Sequence, residues 1–350
     1  MSPLTKRRWK VFLKQKRAKW GLFIFFTLFI FSMSANIWSS SKPLFLYREI
    51  SHDIEGKKLN ISSKKFYFPI FYNYSPEEFS IADSFIVNYK NMLESDKNRN
   101  IKSFAIFPVN QWDPEEQTEQ VLSAPSKKHW LGTDNLGRDI FSRLLFGTRI
   151  SLCFALILWI SSYSIGTILG AMQGYFLGYF DFLLERLKEL AAIIPMLTMI
   201  ILVSAITKNQ SFWMILSLVL VFGWMGIASQ IRANVLTLRR REFCEASLAL
   251  GGTHSRILLK HIFPNILTII VTLSPFAIEL GISLLAALDY LGFGLPPPTP
   301  SIGELMAQGR DNIQNAPWIL LSPIVVILLL LISISLIGQS LREAFDPKLS

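Results

Sequence analysis

The chain has 350 residues, of which 51% are hydrophobic, and its mean hydropathy is +0.38. Soluble proteins of this length are less apolar, so the composition indicates a membrane protein. The formal net charge is +10, but eight Lys and Arg residues and no acid lie in the basic N-terminus, residues 1–19. This distribution is typical of the cytoplasmic side of a bilayer and argues against a nucleic-acid partner. Only Cys153 and Cys244 are cysteines, which excludes a disulfide framework and a Cys/His metal site.

An uncharged segment, residues 20–41, follows and can cross a bilayer of ~30 Å at a rise of ~1.5 Å per residue. We predict a transmembrane helix that leaves the N-terminus in the cytoplasm. A cleaved signal peptide is the alternative. Its usual apolar region of ~7–15 residues is shorter than this segment, and Ser32, Ser34 and Ala35 are a weak cleavage signal.

Residues 42–128 are polar and rich in lysine, with aromatic clusters between 66 and 74 and no apolar run of membrane length. We predict an extracytoplasmic insertion, because long loops cross membranes largely regardless of their charge. Within it the sequence indicates short strands at 64–72 and 103–109 and a helix at 76–94.

Residues 129–149 are amphipathic. The apolar residues Leu136, Ile140 and Leu144 recur every four positions, and Asp134 is a candidate N-cap. Arginines occupy other positions. The pattern predicts an interfacial helix that lies along the outer leaflet.

Five more apolar segments predict an all-α polytopic protein with six transmembrane helices. Its membrane core covers residues 150–340, and a short tail at 341–350 ends the chain in the cytoplasm. The five predicted spans are residues 150–172, 190–207, 211–231, 265–288 and 318–337.

The distribution of basic residues supports this orientation. The loop predicted inside, 232–264, contains six Lys and Arg residues, whereas the loops predicted outside, 208–210 and 291–317, contain two between them. Short cytoplasmic loops carry such an excess. Residues 173–189 are also predicted as an inside loop, and the proline-rich 291–300 as a stiff, non-helical outer loop.

Residues 242–264 of the inside loop read as two short helices separated by glycines. Gly251 and Gly252 end the first helix, because glycine tolerates the left-handed conformation of a C-cap. Thr253 is a candidate N-cap of the second helix, and Pro264 is predicted to end it. Such a compact helical pair on a membrane face predicts a docking site for a soluble partner.

Glu279 is the one ionisable residue near the middle of a predicted span, where a charge costs ~2.5–3.5 kcal/mol on insertion scales. It either contacts a translocation path or forms a structural hydrogen bond with a neighbouring helix or subunit. Asp289, at the outer end of the same span, is expected to be interfacial.

Four glycines spaced by four residues, Gly166, Gly170, Gly174 and Gly178, form a ridge that predicts close helix packing. Pro195 and Pro275 lie inside spans, where each removes a backbone donor and should kink its helix.

Signatures of catalysis are missing from the sequence. It contains no phosphate-binding GxxxxGK[ST], no HExxH, no GxSxG and no intramembrane Ser/His pair, so neither ATP hydrolysis nor intramembrane proteolysis is expected, and no cofactor or metal is predicted. A gradient-driven secondary transporter would need more intramembrane charges. A non-transporting sensor or scaffold, with residues 42–128 as its receiving domain, is a further alternative.

Glu245, Ala246 and Ser247, followed by Gly251 and later by Pro264, resemble the EAA loop of binding-protein-dependent ABC importer permeases. Ser247 replaces the second alanine of that motif by another small residue. The resemblance implies that this loop is the coupling helix, which inserts into a cleft of the ATPase subunit.

The resemblance extends over residues 129–347. The segments HWLGTDNLGRDIFSRLLFGTRIS, LDYLGFGLPPPTPSIGELM and LREAFDP are similar to the oligopeptide and dipeptide branch of these permeases. The insertion after the first span, together with Asp289 in LDYLGFG, resembles the YejE subgroup, which is linked to uptake of peptides and of microcin C-type peptides.

This resemblance implies a type I ABC importer permease fold in a bacterial inner membrane. It also implies a second homologous permease subunit, ATP-hydrolysing subunits and a periplasmic peptide-binding protein as partners. Gly252 belongs to the coupling loop, and Glu242, Glu245, Arg239 and Arg256 are expected to contact the ATPase at its rim.

Overall fold

The structure is a computed structural model with long helices and one small sheet. Along the chain, the small sheet and a short helix come after the first three helices and before the membrane-length helices. The structure describes residues 3–54, 57–79, 87–98, 101–207 and 210–345.

Four helices in the described residues are long and apolar enough to cross a membrane, and a bent helix pair adds a fifth candidate. The pair consists of α6 (Gly178–Ile193) and α7 (Met196–Ile206), which meet at Pro195 with a 70° bend. The kink predicted at Pro195 is confirmed. The four helices are α5 (Ile140–Phe176), α8 (Phe212–Leu238), the continuous segment His254–Tyr290 and α13 (Pro317–Phe345).

The predicted first span is shorter than expected. Helices α1 (Pro3–Lys14), α2 (Lys16–Met33) and α3 (Ala35–Trp38) follow one another, and the first turn of α2 contains three basic residues. Because α2 has only 18 residues including these charges, it does not join the four long apolar helices. The sixth span therefore stays a prediction.

Both ends of the described chain pack together. Phe12 of α1 and Ala18 of α2 are buried against Leu341 and Phe345 of α13, and the Trp9 ring meets the Phe345 ring edge-on at 6.0 Å. This packing extends α13 to Phe345, eight residues beyond the predicted end of the last span. The helix thus includes part of the predicted tail, whose residues 346–350 lie outside the described chain.

Three of the four predicted ridge glycines lie against α8, whereas Gly178 begins α6 and has no atom of the described residues within 4 Å of a hypothetical Cβ. A Cβ atom at Gly166 or Gly170 would collide with backbone atoms of Trp224 or Ala228, and one at Gly174 would lie 2.7 Å from the carbonyl oxygen of Arg232. Small residues let two helix backbones approach this closely.

Two predicted loops contain helical residues. Most of the inside loop 173–189 belongs to α5 and α6, which are separated at Leu177 by a positive φ of 57°. The outer loop 291–317 contains α12 (Ile302–Asp311), which begins where the Ser301 hydroxyl accepts from the Glu304 amide at 3.4 Å. Its proline-rich part, 291–300, is non-helical as predicted. Lys208, which was counted among the basic residues of the predicted outer loops, lies outside the described residues.

The helix predicted at 129–149 begins only at Ile140, and its N-cap is Asp139 rather than Asp134. The Asp139 carboxylate accepts from the Ser142 amide at 2.9 Å. Gly132 and Gly137 have φ values of +80° and +73°, which interrupt any earlier helix. From Ile140 the helix continues without a break into the predicted second span.

The insertion contains a three-stranded antiparallel sheet in the order β2-β1-β3, with α4 (Tyr89–Asn98) beside it. The strands are β1 (Phe45–Ile54), β2 (Lys57–Tyr67) and β3 (Lys102–Ile106). The predicted strands overlap β2 and β3 only in part. The helix predicted at 76–94 is wrong at its start, which is a 3-10 turn, while residues 80–86 lie outside the described chain.

The sequence pattern did not predict the central strand β1, because a buried position in this strand holds an arginine. Arg48 donates two hydrogen bonds to Asp96 of α4, at 2.9 and 2.6 Å, and a third to the Phe79 carbonyl at 3.2 Å. A buried charge is tolerated when it is paired and hydrogen-bonded in this way.

Candidate functional site

The predicted docking element, residues 242–264, begins with α9 (Glu242–Ala249), a glycine turn and α10 (His254–Ile257). We call residues 242–257 the docking loop. Thr253 caps α10 as predicted, since its hydroxyl accepts from the Arg256 amide at 3.4 Å. Glu242 and Glu245 lie in the first turn of α9, where a negative charge is favoured by the helix dipole.

The two glycines of the turn have different roles. Gly251 has a φ of +79° with no atom near a hypothetical Cβ, so its requirement is one of backbone conformation. A Cβ on Gly252 would lie 2.6 Å from the Ser247 carbonyl oxygen, so its requirement is one of space. The Gly252 amide donates to that same oxygen at 2.8 Å. The turn therefore requires glycine at both positions, for backbone conformation at 251 and for space at 252.

One side of α9 is buried and the other is open. Cys244 packs among apolar residues of α8 and α11 (Phe263–Tyr290), and burial raises the pKa of its thiol. In contrast, Glu245 and Ala246 are exposed, Ser247 is half-buried, and Leu250 is 89% exposed. An apolar side chain with this exposure at a turn is suited to contact with another protein.

The charged residues that the sequence predicts at the rim, three in the docking loop and Arg239 just before it, divide into two groups. The side chains of Glu242, Glu245 and Arg256 form no hydrogen bond or ion pair within the described part of the chain. Arg239 differs from the sequence expectation of a rim contact, because its guanidinium donates to the Tyr175 carbonyl at 2.7 Å. Three charges are thus available to a partner, and the fourth joins the end of α8, just before the loop, to the end of α5.

A second contact joins the loop to the end of α5. The Tyr175 hydroxyl lies 2.8 Å from Nδ1 of His254, and the two rings meet edge-on at 5.6 Å. Together with Arg239, this forms what we call the α5 clasp, residues Tyr175, Arg239 and His254. A pocket of about 380 Å³ opens beside the clasp, and Cys244, Glu245 and Leu248 are among its other lining residues.

The structure corrects the prediction that Pro264 ends the second helix. A single π-helical turn, Leu258–Ile262, follows α10, and α11 begins at Phe263 with Pro264 in its first turn. Proline lacks an amide hydrogen, which is no loss at the first turn of a helix, and its ring is accommodated there. The docking loop is consequently continuous with a membrane-length helix, His254–Tyr290.

An ion-pair cluster near the same end of α8 joins α6 to it. The Arg232 guanidinium donates from Nε and Nη2 to the two oxygens of Asp181, both at 2.6 Å. Lys188 bridges Glu185 and the Ser229 hydroxyl, at 2.5 and 3.0 Å. Asp181 and Arg232 lie 51 positions apart in the chain.

Glu279 is half-buried in the second half of α11. Its carboxylate has no hydrogen-bond or ion-pair partner in the part of the chain that the structure describes. Pro275, the second proline that the sequence predicts to kink a span, also lies within α11. The helix continues through it.

On the opposite side of the protein lies a buried charge cluster that the sequence analysis missed. We call Asp134, Arg138, Arg143 and Glu304 the polar cluster. Arg143 and Arg138 donate to the two oxygens of Glu304 at 2.5 and 3.2 Å, and Arg138 also donates to Asp134 at 2.7 Å. Arg143 reaches the Pro114 carbonyl as well, at 3.0 Å. The cluster ties α5 to α12 and to the end of the insertion.

Asp289, predicted to be interfacial, is buried beside this cluster. Its carboxylate accepts from the Leu295 amide at 2.7 Å and from the Ser301 hydroxyl at 2.5 Å. These two bonds hold the proline-rich loop against the end of α11. No group of side chains suited to a metal ion occurs among the described residues.

Comparison with known proteins gives consistent matches. Residues 166–350 match a family described as "Binding-protein-dependent transport system inner membrane component". The inner membrane ABC transporter permease protein YejE of Escherichia coli (strain K12) is 34% identical over 350 residues, covering 99% of this chain and 98% of that protein. The peptidoglycan transport system permease protein YejE of Agrobacterium fabrum is 32% identical, covering 99% and 94%. The oligopeptide transport system permease protein OppC of Bacillus subtilis is 36% identical, covering 66% and 77%.

Proposed function

Because the chain belongs to the family of binding-protein-dependent transport system inner membrane components, and within it to the YejE subgroup, we propose that it is the permease subunit of an ABC importer for peptides. Membership of this family, together with the long apolar helices, makes it a multi-pass protein of the inner membrane. The names of its relatives specify oligopeptide and peptidoglycan transport. Peptide bonds are common to both substrates, and microcin C-type peptides are the finer candidate.

The partners we propose are a second homologous permease subunit, ATPase subunits on the cytoplasmic side and a periplasmic peptide-binding protein. The docking loop supports this assignment most directly. It offers Glu242, Glu245 and Arg256 without partners in the described chain, beside the exposed Leu250. Unpaired charges around an apolar anchor are what an interface requires, since rim charges steer association and a central apolar residue supplies binding energy.

The clasp suggests how movement of the ATPase would reach the membrane. A force on α9 passes through Arg239 and His254 to Tyr175 at the end of α5. It also passes directly into α11, because the docking loop continues into that helix. We propose that tilting of α5 and α11 together converts ATP-driven closure of the ATPase subunits into alternating access.

Glu279 is the candidate for a residue of the translocation path. An ionisable group at membrane depth needs a partner or water. Because its carboxylate has none in the described chain, the second permease subunit, a water-filled path or the substrate is left to supply one. A carboxylate in the path would attract the ammonium group of a peptide.

Affinity purification from membranes tests the proposal. The tagged chain should bring down an ATPase subunit and a second permease subunit, and the reconstituted complex should hydrolyse ATP faster when binding protein and peptide are added. Peptide uptake driven by an ion gradient without any ATPase would instead establish a secondary transporter. Purification without ATPase or second permease, and without uptake, would favour the sensor or scaffold.

A further inference from the structure

The sheet of the insertion has one face covered by α4, and no other described residue covers the second face. Leu46 and Tyr67 point into the covered side, where they pack with Phe79 and Met92. Strand pairing aligns the other face in rows across β3, β1 and β2. The first row begins with Ile106 and Phe45, the second consists of Phe104, Tyr47 and Phe66, and the third begins with Lys102 and Glu49.

The first two rows form an apolar surface, which we call the aromatic face: Phe45, Tyr47, Phe66, Phe68, Phe104 and Ile106. Phe66 is 61% exposed and Phe104 is 58% exposed. The rings contact one another, with centroids 5.8 Å apart for Phe45 and Phe68 and 5.4 Å apart for Tyr47 and Phe66. A contiguous exposed patch of this kind marks a binding surface.

The apolar end of this face is the end attached to the first apolar helices. The Leu44 amide donates to the Ile106 carbonyl at 2.7 Å, and the Asn110 amide donates to the carbonyl of Trp38, the last residue of α3, at 3.0 Å. Lys102 and Glu49 lie four residues farther along their strands, or about 13 Å away. Polarity therefore rises along the sheet with distance from α3.

Two tryptophans mark the level of this attachment. Trp38 packs on Phe31 of α2 and Trp130 packs on Phe141 of α5, with centroids 4.6 and 4.9 Å apart. Trp130 is 44% exposed. Partly exposed tryptophans at the ends of apolar helices are typical of the boundary between lipid and water.

We propose that the aromatic face binds the surface of the outer leaflet, with the Ile106 and Phe45 row at the acyl boundary and Lys102 at the level of anionic headgroups. Aromatic rings with a polar end are favoured in this zone, and lysine complements a negative lipid surface. Lipid fits better than a protein partner, because the gradient from Phe45 through Tyr47 to Lys102 parallels that from acyl chains to water. The inference rests on the proposed extracytoplasmic side of the insertion.

Depth-dependent quenching of a fluorescent label tests this inference. The full chain carrying Cys153→Ala and Cys244→Ala would receive Phe104→Cys, with a polarity-sensitive label, and enter nanodiscs of phosphatidylethanolamine and phosphatidylglycerol. Lys102→Cys, on the same strand and face, is the matched control. Phe66→Cys repeats the test on β2, in case one variant folds poorly.

Labels at 104 and 66 should be quenched by lipid-attached nitroxide and shielded from aqueous iodide, whereas the label at 102 should show several-fold stronger iodide quenching. Strong iodide quenching at 104 would overturn the inference. So would shielding from both quenchers, which would mean that a protein covers the face. Labelling of Lys102→Cys by an impermeant maleimide outside intact spheroplasts checks the topology. Failure of this labelling would overturn the proposed membrane contact. Loss of ATPase co-purification would contradict only the proposed function.

Discussion

The docking loop and the polar cluster are both rich in charged residues, but they differ in whether those charges are paired within the chain. In the docking loop, Glu242, Glu245 and Arg256 have no partner in the described chain. In the polar cluster, Arg138 and Arg143 are almost fully buried and share Glu304. Buried charges must be paired within the protein, whereas exposed ones are available to another molecule. The contrast separates a joint that holds this chain together from a surface that we propose binds a partner.

The largest effect on stability is expected in the polar cluster. Arg143→Met should destabilise the protein by about 1–3 kcal/mol, because it removes the shortest hydrogen bond to the half-buried Glu304, which keeps Arg138 as a partner. Thermal unfolding of the detergent-solubilised protein would measure this. Arg256→Met in the docking loop is the matched control and should leave the melting temperature nearly unchanged. Equal shifts for the two variants would remove the distinction between the regions.

Gly251→Asp should abolish peptide uptake with a far smaller effect on stability. The substitution places a side chain at φ +79° and adds a charge on the turn that we propose faces the ATPase. Aspartate is among the residues that tolerate this conformation, so the loss should come mainly from docking. Uptake, membrane insertion and ATPase co-purification would be measured together. The control is Gly251→Asn, which adds no charge. Gly226→Asp is unsuitable as a control because Gly226 lies in a membrane-length helix. Substrate-stimulated ATP hydrolysis that survived Gly251→Asp would contradict the coupling role.

Glu279→Gln should lower uptake by about tenfold, equivalent to ~1.4 kcal/mol, if the carboxylate meets the substrate in the path. Because the side chain has no partner in the described chain, the melting temperature should stay close to that of the parent protein. Transport assays on a complex whose subunit composition has been verified would test this. Normal uptake by a normally assembled complex would leave Glu279 with a structural role.

The smallest effect concerns the α5 clasp. Tyr175→Phe removes the bond to His254 and should cost ~0.5–1.5 kcal/mol. We expect ATP hydrolysis to continue while uptake per ATP falls, because the loop stays docked but its tie to α5 is weaker. Tyr179→Phe, at an exposed position in α6, is the control. An unchanged ratio of uptake to hydrolysis would show that force travels through α11 alone.

Local sequence patterns predicted the docking loop well. The Gly251 turn, the Thr253 cap and the kink at Pro195 depend on backbone preferences of single residues, and the structure has all three. Pro264 was predicted wrongly, because the same residue is compatible with a helix start as well as a helix end. Which of these applies depends on whether the preceding π-helical turn forms.

The sequence by itself determined the membrane class, most of the long helices and the docking loop, because each follows from apolar length, glycine or proline within a short window. Only the tertiary structure decided the pairing of Arg143 with Glu304, 161 positions apart, and of Arg232 with Asp181, 51 apart. It also decided that β1 is the central strand, since Arg48 interrupts its apolar alternation and is neutralised by Asp96. A buried charge becomes acceptable only when the fold brings its partner to it, and no local window contains that partner.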